Sequence, residues 1–460
     1  MPETVAEIVV AHRDGIVSPQ QTVSRSYARL RALADPGVFI TLRAEAEAVA
    51  EAGALEPERR GALYGVPFAV KDNIDVAGMP TTAACPAFAY QPEVDAHVVA
   101  KLRAAGAIVI GKTNLDQFAT GLVGLRTPYP PPRNALRADL IPGGSSSGSA
   151  VAVAAGIAPL ALGTDTAGSG RVPAMLNNIV GLKPSLGLIS TRGVVPACRT
   201  LDCVSIFALD VDDAWTALGA CAGYDRGDPY SREMPLGAPG AMPKAMRLGV
   251  PRKSQRLFFG DARAEADYEA ALARLAKLGA MLTEIDMAPF YETARLLYEG
   301  PWVAERYLAA RSVLDKKPEA LHPVTRAIVA PGADVRASDA FAAFYRLAEL
   351  RRAAAEIFAA IHALALPTAP TVYTCAQVLA DPIALNSRLG TYTNFVNLLD
   401  LCGMAVPAVL HDDGTPFGVT FLAPAGCDAL TASIAEAFHA DTGLALGAGA
   451  ACRFPRQAAG

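Results

Sequence analysis

Residues 143 to 150 read Gly143-Gly144-Ser145-Ser146-Ser147-Gly148-Ser149-Ala150, and residues 163 to 171 read Gly163-Thr164-Asp165-Thr166-Ala167-Gly168-Ser169-Gly170-Arg171. The two stretches place Ser145 and Ser169 in glycine-bounded turns on either side of a run of small apolar residues. A serine hydroxyl attacks a carbonyl only when a base lies within hydrogen-bond reach and a donor pocket receives the oxyanion. The pair therefore predicts a serine nucleophile, provided that the chain also supplies a base.

The base has two candidate sources in the sequence. Histidine is the common choice, but none of the six histidines falls in a glycine-punctuated segment beside either serine. Upstream, residues 65 to 70 have the pattern of a short buried strand, which ends in Lys71. A lysine at that place is unusual for a solvated charge, although an ammonium that reaches water along its apolar stem fits the same pattern. The residues alone leave both interpretations of Lys71 open.

Four linked motifs resemble the amidase signature family. They are the strand that ends in Lys71-Asp72-Asn73, the stretch over residues 143 to 150, the turn over residues 165 to 174, and Gly181-Leu182-Lys183-Pro184. A single run of glycine and serine would equally fit a flexible linker, so the order and spacing of all four motifs carry the resemblance. The resemblance implies an α/β fold with a large mixed, largely parallel twisted sheet that is covered by helices on both faces.

The resemblance also implies a Ser-Ser-Lys triad. In the family's mechanism a neutral Lys71 takes a proton from Ser145, Ser145 takes the proton of Ser169, and Ser169 attacks the amide carbon. The pKa of Lys71 must then fall from about 10.4 to roughly 7 to 8, a shift that burial can supply. The family further implies a cis peptide bond between Gly144 and Ser145.

The turn around Ser169 is the expected oxyanion hole. Glycine at position 168 lets the backbone turn, so that several N–H groups converge on one point. Asp165 and Arg171, at the two ends of this turn, are expected to form a buried orienting pair rather than to take part in the chemistry. The expected oxyanion donors are the backbone amides of Thr166, Ala167, Gly168 and Ser169.

Segments outside these motifs are similar to allophanate hydrolases within the family. These segments cover residues 81 to 86, 112 to 121, 177 to 180 and 195 to 199, and residues 297 to 307 resemble the segment that contacts the substrate carboxylate. The resemblance therefore implies Tyr298, Arg306 and Gly121 as substrate-binding residues. Gly300-Pro301 should separate two helices, with Tyr298 at the end of the first and Arg306 in the second turn of the next. From the residues alone, a solvated helix position fits Arg306 better, and only the resemblance favours a role in substrate binding.

The implied reaction is hydrolysis of the terminal amide of allophanate, a urea that bears a carboxylate, with release of ammonia through a serine acyl-enzyme, as in urea degradation. Such a small anion needs a cation with forked geometry and little apolar volume around it. Other functions stay open, namely an amidotransferase subunit that hydrolyses glutamine within a complex and an amidase for another small amide such as malonamate. A catalytically silent binding protein is a further alternative, against which the intact Lys71, Ser145 and Ser169 argue.

Composition and charge limit which binding partners and which cellular location we expect for the chain. The 460-residue chain carries 41 Lys and Arg against 45 Asp and Glu, a net charge of -4, so it has no field that would attract nucleic acid. The N-terminus lacks the pattern of a signal peptide, and no run of about 18 apolar residues occurs. The eight cysteines are scattered without metal-ligand spacing. We therefore expect a cytoplasmic protein without membrane, metal or cofactor, whose partners are a small anionic amide and a second copy in a homodimer.

The predicted organisation is one amidase domain over residues 1 to 445, with the signature core at about 60 to 210. A helical excursion at about 288 to 361 should form the substrate pocket, with Ser338 as the N-cap of its long last helix. Residues 446 to 460 have the composition of a tail or linker, after which a further C-terminal domain could be absent. Periodicity predicts helices at 149 to 157, 212 to 221 and 262 to 278, and strands at 66 to 70, 107 to 110 and 281 to 285.

Overall fold

The computed structural model of the protein describes residues 2 to 56 and 61 to 449. Its helices are α1 (Val5–Arg13), α2 (Pro19–Leu33), α3 (Glu45–Gly53), α4 (His97–Ala104), α5 (Ser147–Ala154), α6 (Val172–Leu176), α7 (Val211–Cys221), α8 (Ala262–Lys277), α9 (Ala288–Glu299), α10 (Val303–Leu314), α11 (Pro323–Val329), α12 (Ala337–Phe358), α13 (Cys375–Ala380), α14 (Ala384–Leu389) and α15 (Asp428–Thr442). Its strands are β1 (Phe39–Leu42), β2 (Pro67–Lys71), β3 (Ile108–Thr113), β4 (Leu160–Thr164), β5 (Val180–Lys183), β6 (Val204–Ala208), β7 (Arg247–Pro251), β8 (Met281–Ile285), β9 (Ala363–Pro367), β10 (Leu401–Leu410) and β11 (Pro416–Pro424).

The strands of the described residues form one sheet of 11 strands in the order β1-β3-β2-β4-β6-β5-β10-β11-β9-β7-β8. The predicted α/β class and the large mixed sheet are confirmed. The expected predominance of parallel pairing is wrong, since in the described part of the chain only β2 with β3 and β4, and β7 with β8 and β9, pair in parallel. Parallel pairing needs a crossover, which helices supply at both ends of the sheet, whereas a short turn joins β10 to β11 at its centre.

Three parallel strands position the site. In the described sheet β2 lies between β3 and β4, with Lys71 opposite Thr113 on one side and Val70 opposite Leu162 on the other. All residues of these three strands are buried. Because parallel strands bring their carboxyl ends to the same edge of a sheet, the segments that follow them meet there. Two segments therefore lie side by side, although about 90 residues separate them in the chain. They are Lys71-Asp72-Asn73 at the end of β2 and the turn over residues 163 to 171 at the end of β4.

Helix α5 begins directly behind the turn that carries Ser145. Every one of its residues is buried, and it begins two residues before the predicted start at residue 149. Its small residues allow close packing, because a Cβ atom on Gly148 would collide with the carbonyl oxygen of Val38. The amino end of this helix, where the dipole is positive, thus faces the turn that holds Ser145.

The predicted break at Gly300-Pro301 is confirmed. Helix α9 ends at Glu299 and α10 begins at Val303, so Tyr298 lies in the last turn of α9 and Arg306 follows the first residues of α10. Helices α9 to α12 occupy the segment predicted to be a helical excursion. The predicted cap of α12 is wrong. That helix begins at Ala337 with Arg336 in the N-cap position, and the hydroxyl of Ser338 donates to Asp339 instead.

Residues 445 to 449 pack against the body of the protein. Asn178 donates through Nδ2 to the carbonyl oxygens of Ala445 and Gly447, each at 2.8 Å, and the amide of Ala448 donates to Ala154. Residues 446 to 449, expected in a tail or linker, therefore pack against the rest of the chain as residue 445 does. The remainder of that predicted tail, residues 450 to 460, lies outside the described residues. The domain boundary itself stays a prediction.

The described helices include none that is long and apolar enough to cross a membrane. Among the same residues, no group of three or more His, Cys, Asp or Glu side chains is arranged to hold a metal ion. Seven cysteines of the described ranges are free thiols, of which Cys375 and Cys427 are half-buried and the others buried.

Candidate active site

Lys71 is the buried base candidate at the end of β2. Its Nζ atom donates to Ser145 Oγ and to Thr164 Oγ1, each at 2.7 Å, and the side chain has no exposed surface. Burial lowers the pKa of Lys71 to about 7, although the carboxylates of Asp116, Asp165 and Asp202 act in the opposite direction. In the part of the chain that the structure describes, Lys71 forms no ion pair. An amine of this kind is close to half neutral at physiological pH and can accept a proton.

Ser145 follows a cis peptide bond, as predicted for the Gly144–Ser145 pair. Glycine is required before it, because a Cβ atom on Gly144 would collide with the Asp116 carboxylate. The amide of Asp116 donates to the carbonyl oxygen of Ser145 at 3.0 Å, and its carboxylate accepts from the amides of Val123 and Gly124. Asp116 therefore ties the Ser145 turn to the loop that follows Gly121.

Ser169 lies on the other side of that loop. Its hydroxyl donates to the carbonyl oxygen of Gly121 at 3.4 Å, and the residue is buried. No hydrogen bond joins Ser145 to Ser169 in the described structure. The structure thus brings Lys71 and Ser145 into direct contact and places Ser169 across the same loop, with its hydroxyl directed to Gly121.

The turn before Ser169 differs in one respect from the predicted oxyanion hole. The amide of Gly168 donates to Asp165 Oδ1 at 2.7 Å, a partner that the prediction of an oxyanion donor at this position did not include. Its contribution is conformational, since its φ of 122° favours glycine and a Cβ atom would collide with Thr393. No acceptor within the described residues binds the amides of Thr166, Ala167 and Ser169, which leaves these three as candidate donors.

The predicted buried pair of Asp165 and Arg171 is confirmed. Arg171 donates through two nitrogens to the two carboxylate oxygens of Asp165, at 2.8 and 2.9 Å, and neither side chain is exposed. Burial alone would raise the pKa of Asp165, but the Arg171 guanidinium outweighs this effect and holds that pKa below its usual value. Because the same carboxylate accepts from the amides of Gly168 and Gly170, the pair shapes the turn around Ser169.

Arg306 is buried beside the predicted carboxylate site. One terminal nitrogen donates to Thr120 Oγ1 at 3.2 Å and to the carbonyl oxygen of Ala119 at 3.5 Å. Its guanidinium carbon lies 4.8 Å from the centre of the Tyr298 ring. The Nε atom and the other terminal nitrogen are buried without a protein partner. A buried cation with unsatisfied donors is costly, so this arrangement favours an anionic ligand.

The three predicted substrate-binding residues lie together. Gly121 follows Thr120, which contacts Arg306, and the carbonyl oxygen of Gly121 is the acceptor for the Ser169 hydroxyl. Glycine fits this position because a Cβ atom would meet Asp116 Oδ2 at 2.5 Å. The two residues from the helical excursion therefore reach the same turn as the candidate nucleophile.

Several supporting residues were missed by the sequence reasoning. Thr164 is the last residue of β4 and falls inside the quoted stretch over residues 163 to 171, and Asp116 falls in the segment over residues 112 to 121, three residues after β3, so their positions could have marked them. Asp202 and Asn397 carry no local signal, because they act on the Ser169 turn from other parts of the chain. Asp202 accepts from the Thr166 hydroxyl at 2.6 Å, and Asn397 donates to the carbonyl oxygen of Asp165 at 2.6 Å. Burial raises the pKa of Asp202, although its bonds to Thr166, Cys198 and Ala197 act against that rise.

A buried lysine and serine pair beside a second serine, on a mixed α/β sheet, offers the base and the hydroxyl that amide cleavage requires. The family model described as Amidase matches residues 21–431, which contain every site residue described above. The chain therefore belongs to the amidase family, and it is an enzyme of that family.

Known proteins refine the comparison. The chain is 49% identical over 363 residues to urea amidolyase from Saccharomyces cerevisiae, which covers 78% of this chain and 20% of that protein. A solved structure of allophanate hydrolase from Kluyveromyces lactis has a TM-score of 0.89 and 41% identity, covering 95% of this chain and 72% of that one. The resemblance to allophanate hydrolases is thereby confirmed.

A further relative is a glutamyl-tRNA(Gln) amidotransferase component from Symbiobacterium thermophilum. It is 36% identical over 441 residues, which cover 88% of this chain and 89% of that protein. The chain thus spans most of this amidotransferase component but only about one fifth of the yeast urea amidolyase. The substrate and any larger assembly are therefore matters for proposal, and the homodimer and the cytoplasmic location stay predictions.

Proposed function

We propose that this protein hydrolyses the terminal amide of allophanate and releases ammonia. The observation that carries this proposal is the buried guanidinium of Arg306, whose Nε and second terminal nitrogen have no protein partner. A neutral amide would leave that charge unpaired, whereas the carboxylate of a small anion would satisfy it. The likeness to allophanate hydrolase and urea amidolyase supports the same substrate.

The proposed chemistry begins with a proton transfer from Ser145 to neutral Lys71. Ser145 then takes the proton of Ser169, whose hydroxyl must first leave its resting contact with Gly121. Ser169 attacks the amide carbon, and the new C–O bond forms as the carbonyl electrons move to oxygen. The free amides of Thr166, Ala167 and Ser169 are the donors for this oxyanion.

Collapse of the tetrahedral intermediate breaks the C–N bond. Ser145 returns a proton to the departing nitrogen and recovers one from the Lys71 ammonium, so that ammonia leaves and an ester remains on Ser169. Water then attacks this ester and gives a proton to Ser145, which passes its own proton to Lys71. The C–O bond to Ser169 breaks as Ser145 protonates the Ser169 oxygen and recovers a proton from Lys71. The product is N-carboxycarbamate, which can lose carbon dioxide later without help from this site.

Recognition of the substrate rests on the carboxylate. Arg306 is proposed to bind it in a bidentate manner, and the Tyr298 hydroxyl to donate a further hydrogen bond. Malonamate, which carries a carboxylate and a primary amide at similar spacing, should bind in the same way. A charged hydrogen bond of this kind contributes roughly 1.5 to 3 kcal/mol, which is about 10- to 150-fold in transition-state binding.

Glutamine is the second candidate substrate. The near full-length likeness to an amidotransferase component favours it, and the residues of the triad would serve both reactions. Glutamine also carries an ammonium group, however, which the unpaired charge of Arg306 would repel. Ammonia release from glutamine by this chain alone, without allophanate hydrolysis, would favour the amidotransferase function.

The experiment compares an anionic and a neutral amide. Arg306→Ala should lower kcat/KM for allophanate and malonamate by about 10- to 150-fold and leave that for neutral malonamide nearly unchanged. Arg311→Ala is the matched control, because Arg311 lies on the same helix with 60% of its side chain exposed. Equal losses with anionic and neutral amides would show that Arg306 supports the fold, and the allophanate proposal would fail.

A further inference from the structure

Thr120 lies between two buried arginines, Arg306 and Arg126, and is itself fully buried. Its hydroxyl donates to the carbonyl oxygen of Phe118 at 3.2 Å and accepts from Arg306 at 3.2 Å. Since the hydroxyl proton is directed to Phe118, the oxygen presents a lone pair to Arg306. The hydroxyl therefore has one defined orientation, which a freely rotating group would lack.

The backbone of Thr120 is held by the second arginine. Arg126 donates to the carbonyl oxygens of Thr120 and Pro382, at 2.9 and 2.8 Å, and its own amide donates to Asp116. The backbone amide of Thr120 donates to the carbonyl oxygen of Gln117 at 3.1 Å. Every polar atom of Thr120 is thus engaged. Arg126 fixes this residue from one side while its hydroxyl contacts Arg306 on the other.

This arrangement decides which edge of Arg306 stays free. A guanidinium binds a carboxylate with two parallel bonds through a pair of adjacent N–H groups, one such pair being Nε with the terminal nitrogen on its side. Thr120 and Ala119 accept hydrogen bonds only from the other terminal nitrogen, and the Tyr298 ring lies against the guanidinium group. The two nitrogens left without a partner are Nε and the remaining terminal nitrogen, which match the required edge.

We propose that Thr120 is a positioning residue for anion recognition, whose hydroxyl holds Arg306 with its Nε edge directed to the substrate carboxylate. The inference rests on the proposed function, because it names the residue that sets the specificity of that same site. Valine has nearly the shape of threonine but offers no acceptor. In Thr120→Val the guanidinium can turn, and the edge that binds the carboxylate is no longer fixed.

The test uses malonamate and malonamide, two amides of similar size that differ in charge. Thr120→Val should reduce the ratio of kcat/KM for malonamate to that for malonamide by about tenfold, mainly through KM for malonamate. Thr120→Ser keeps the hydroxyl and should keep the ratio within about threefold of the unmodified protein. In an Arg306→Ala background, Thr120→Val should change the ratio no further.

The outcomes distinguish failure of the proposed function from failure of the inference about Thr120. If the unmodified protein shows no preference for malonamate, the proposed function and this inference both fail. If the preference exists and Thr120→Val keeps it, only the inference fails. The inference is also overturned if Thr120→Val lowers the ratio to the same extent without Arg306, or if Thr120→Ser loses the preference. Should Thr120→Val not fold, Thr120→Ala replaces it with the same expected fall.

Discussion

Two buried lysines on neighbouring strands have opposite surroundings. Lys71 lies opposite Thr113 in the pairing of β2 with β3, and Lys112 lies opposite Val70, so the two side chains leave opposite faces of the sheet. Neither side chain is exposed. Lys112 Nζ lies 3.3 Å from Asp72 Oδ1 and donates to Thr81 Oγ1, whereas Lys71 Nζ, among the described residues, donates only to the hydroxyls of Ser145 and Thr164.

This comparison indicates that burial alone does not make a lysine reactive. The group that the buried amine contacts, a carboxylate or a hydroxyl, distinguishes the structural lysine from the reactive one. Burial lowers the pKa of both amines. At Lys112 the Asp72 carboxylate opposes that effect directly. Lys71 has no carboxylate in contact, so its pKa falls to about 7 and its proton can leave at neutral pH. Because Lys71 contacts the Ser145 hydroxyl, the neutral amine can accept a proton from that serine as the proposed first step of catalysis.

The largest expected effect comes from exchanging each lysine for methionine. Lys71→Met should lower kcat/KM by about 10³-fold or more with little loss of stability, because it removes the proposed base. Lys112→Met should leave Asp72 as an unpaired buried carboxylate and lower the free energy of unfolding by about 3 to 5 kcal/mol, with activity retained in the folded fraction. Steady-state rates and urea unfolding of both variants measure these effects.

A double variant gives the control. Asp72→Asn combined with Lys112→Met removes both charges of that pair, and we expect it to recover much of the lost stability. The comparison breaks if Lys112→Met abolishes turnover while the protein remains folded, since Lys112 would then belong to the chemistry.

The second expected effect is on stability as a function of pH. The folded pKa of Lys71 is about 7, below its usual value of 10.5, so between these values the unfolded chain binds more protons. The free energy of unfolding should therefore rise with pH across this window, on the order of 5 kcal/mol more in the unmodified protein than in Lys71→Met. Urea unfolding at several pH values measures the difference.

Below pH 7 the lysine is protonated in both states, and this contribution no longer changes. Lys277→Met is the matched control, because Lys277 is exposed on α8 and its exchange should leave the slope unchanged. A slope that is the same with and without Lys71 would mean that the buried amine keeps its proton up to high pH.

The smallest expected effect concerns the hydroxyl partners of the two lysines. Thr164→Val removes one acceptor of the Lys71 ammonium, so the apparent pKa in the pH profile of kcat/KM should fall, with a loss of about tenfold in rate. Thr81→Val removes the corresponding partner of Lys112 and should lower stability by about 1 kcal/mol without changing the pH profile. A changed profile in Thr81→Val would remove the distinction between the two sites.

Short-range signals accounted for much of what could be predicted. The strand before Lys71, the helix behind Ser145 and the break between Tyr298 and Arg306 each follow from local pattern, apolar runs and the Gly-Pro pair. The pairing of the central strands could not be predicted from local pattern, because β10 pairs with β5, which lies more than 200 residues earlier in the chain. Strand β10 also contains Pro407, where its register with β11 shifts, and proline normally counts against a central strand.

The same limit applies to the site. The catalytic candidates lie inside motifs, but the bond from Gly168 to Asp165 depends on how the carboxylate turns, which sequence does not give. Likewise, whether Arg306 is solvated or buried depends on the packing of α10 against the turn at Thr120. The orientation of the Asp165 carboxylate is set by its pairing with Arg171. The burial of Arg306 is set by contacts with Thr120, which lies 186 residues earlier in the chain.

The measurement that tests the assignment of the base and the nucleophile most directly is the pH dependence of covalent labelling with a fluorophosphonate, located by peptide mass spectrometry. We predict a single adduct on Ser169, with a rate that rises through an apparent pKa of about 7. Labelling should be absent in Ser169→Ala, although that variant remains folded, and strongly slowed in Lys71→Met. An adduct on another serine, or a rate that shows no inflection below pH 10, would contradict the assignment of Lys71 and Ser169.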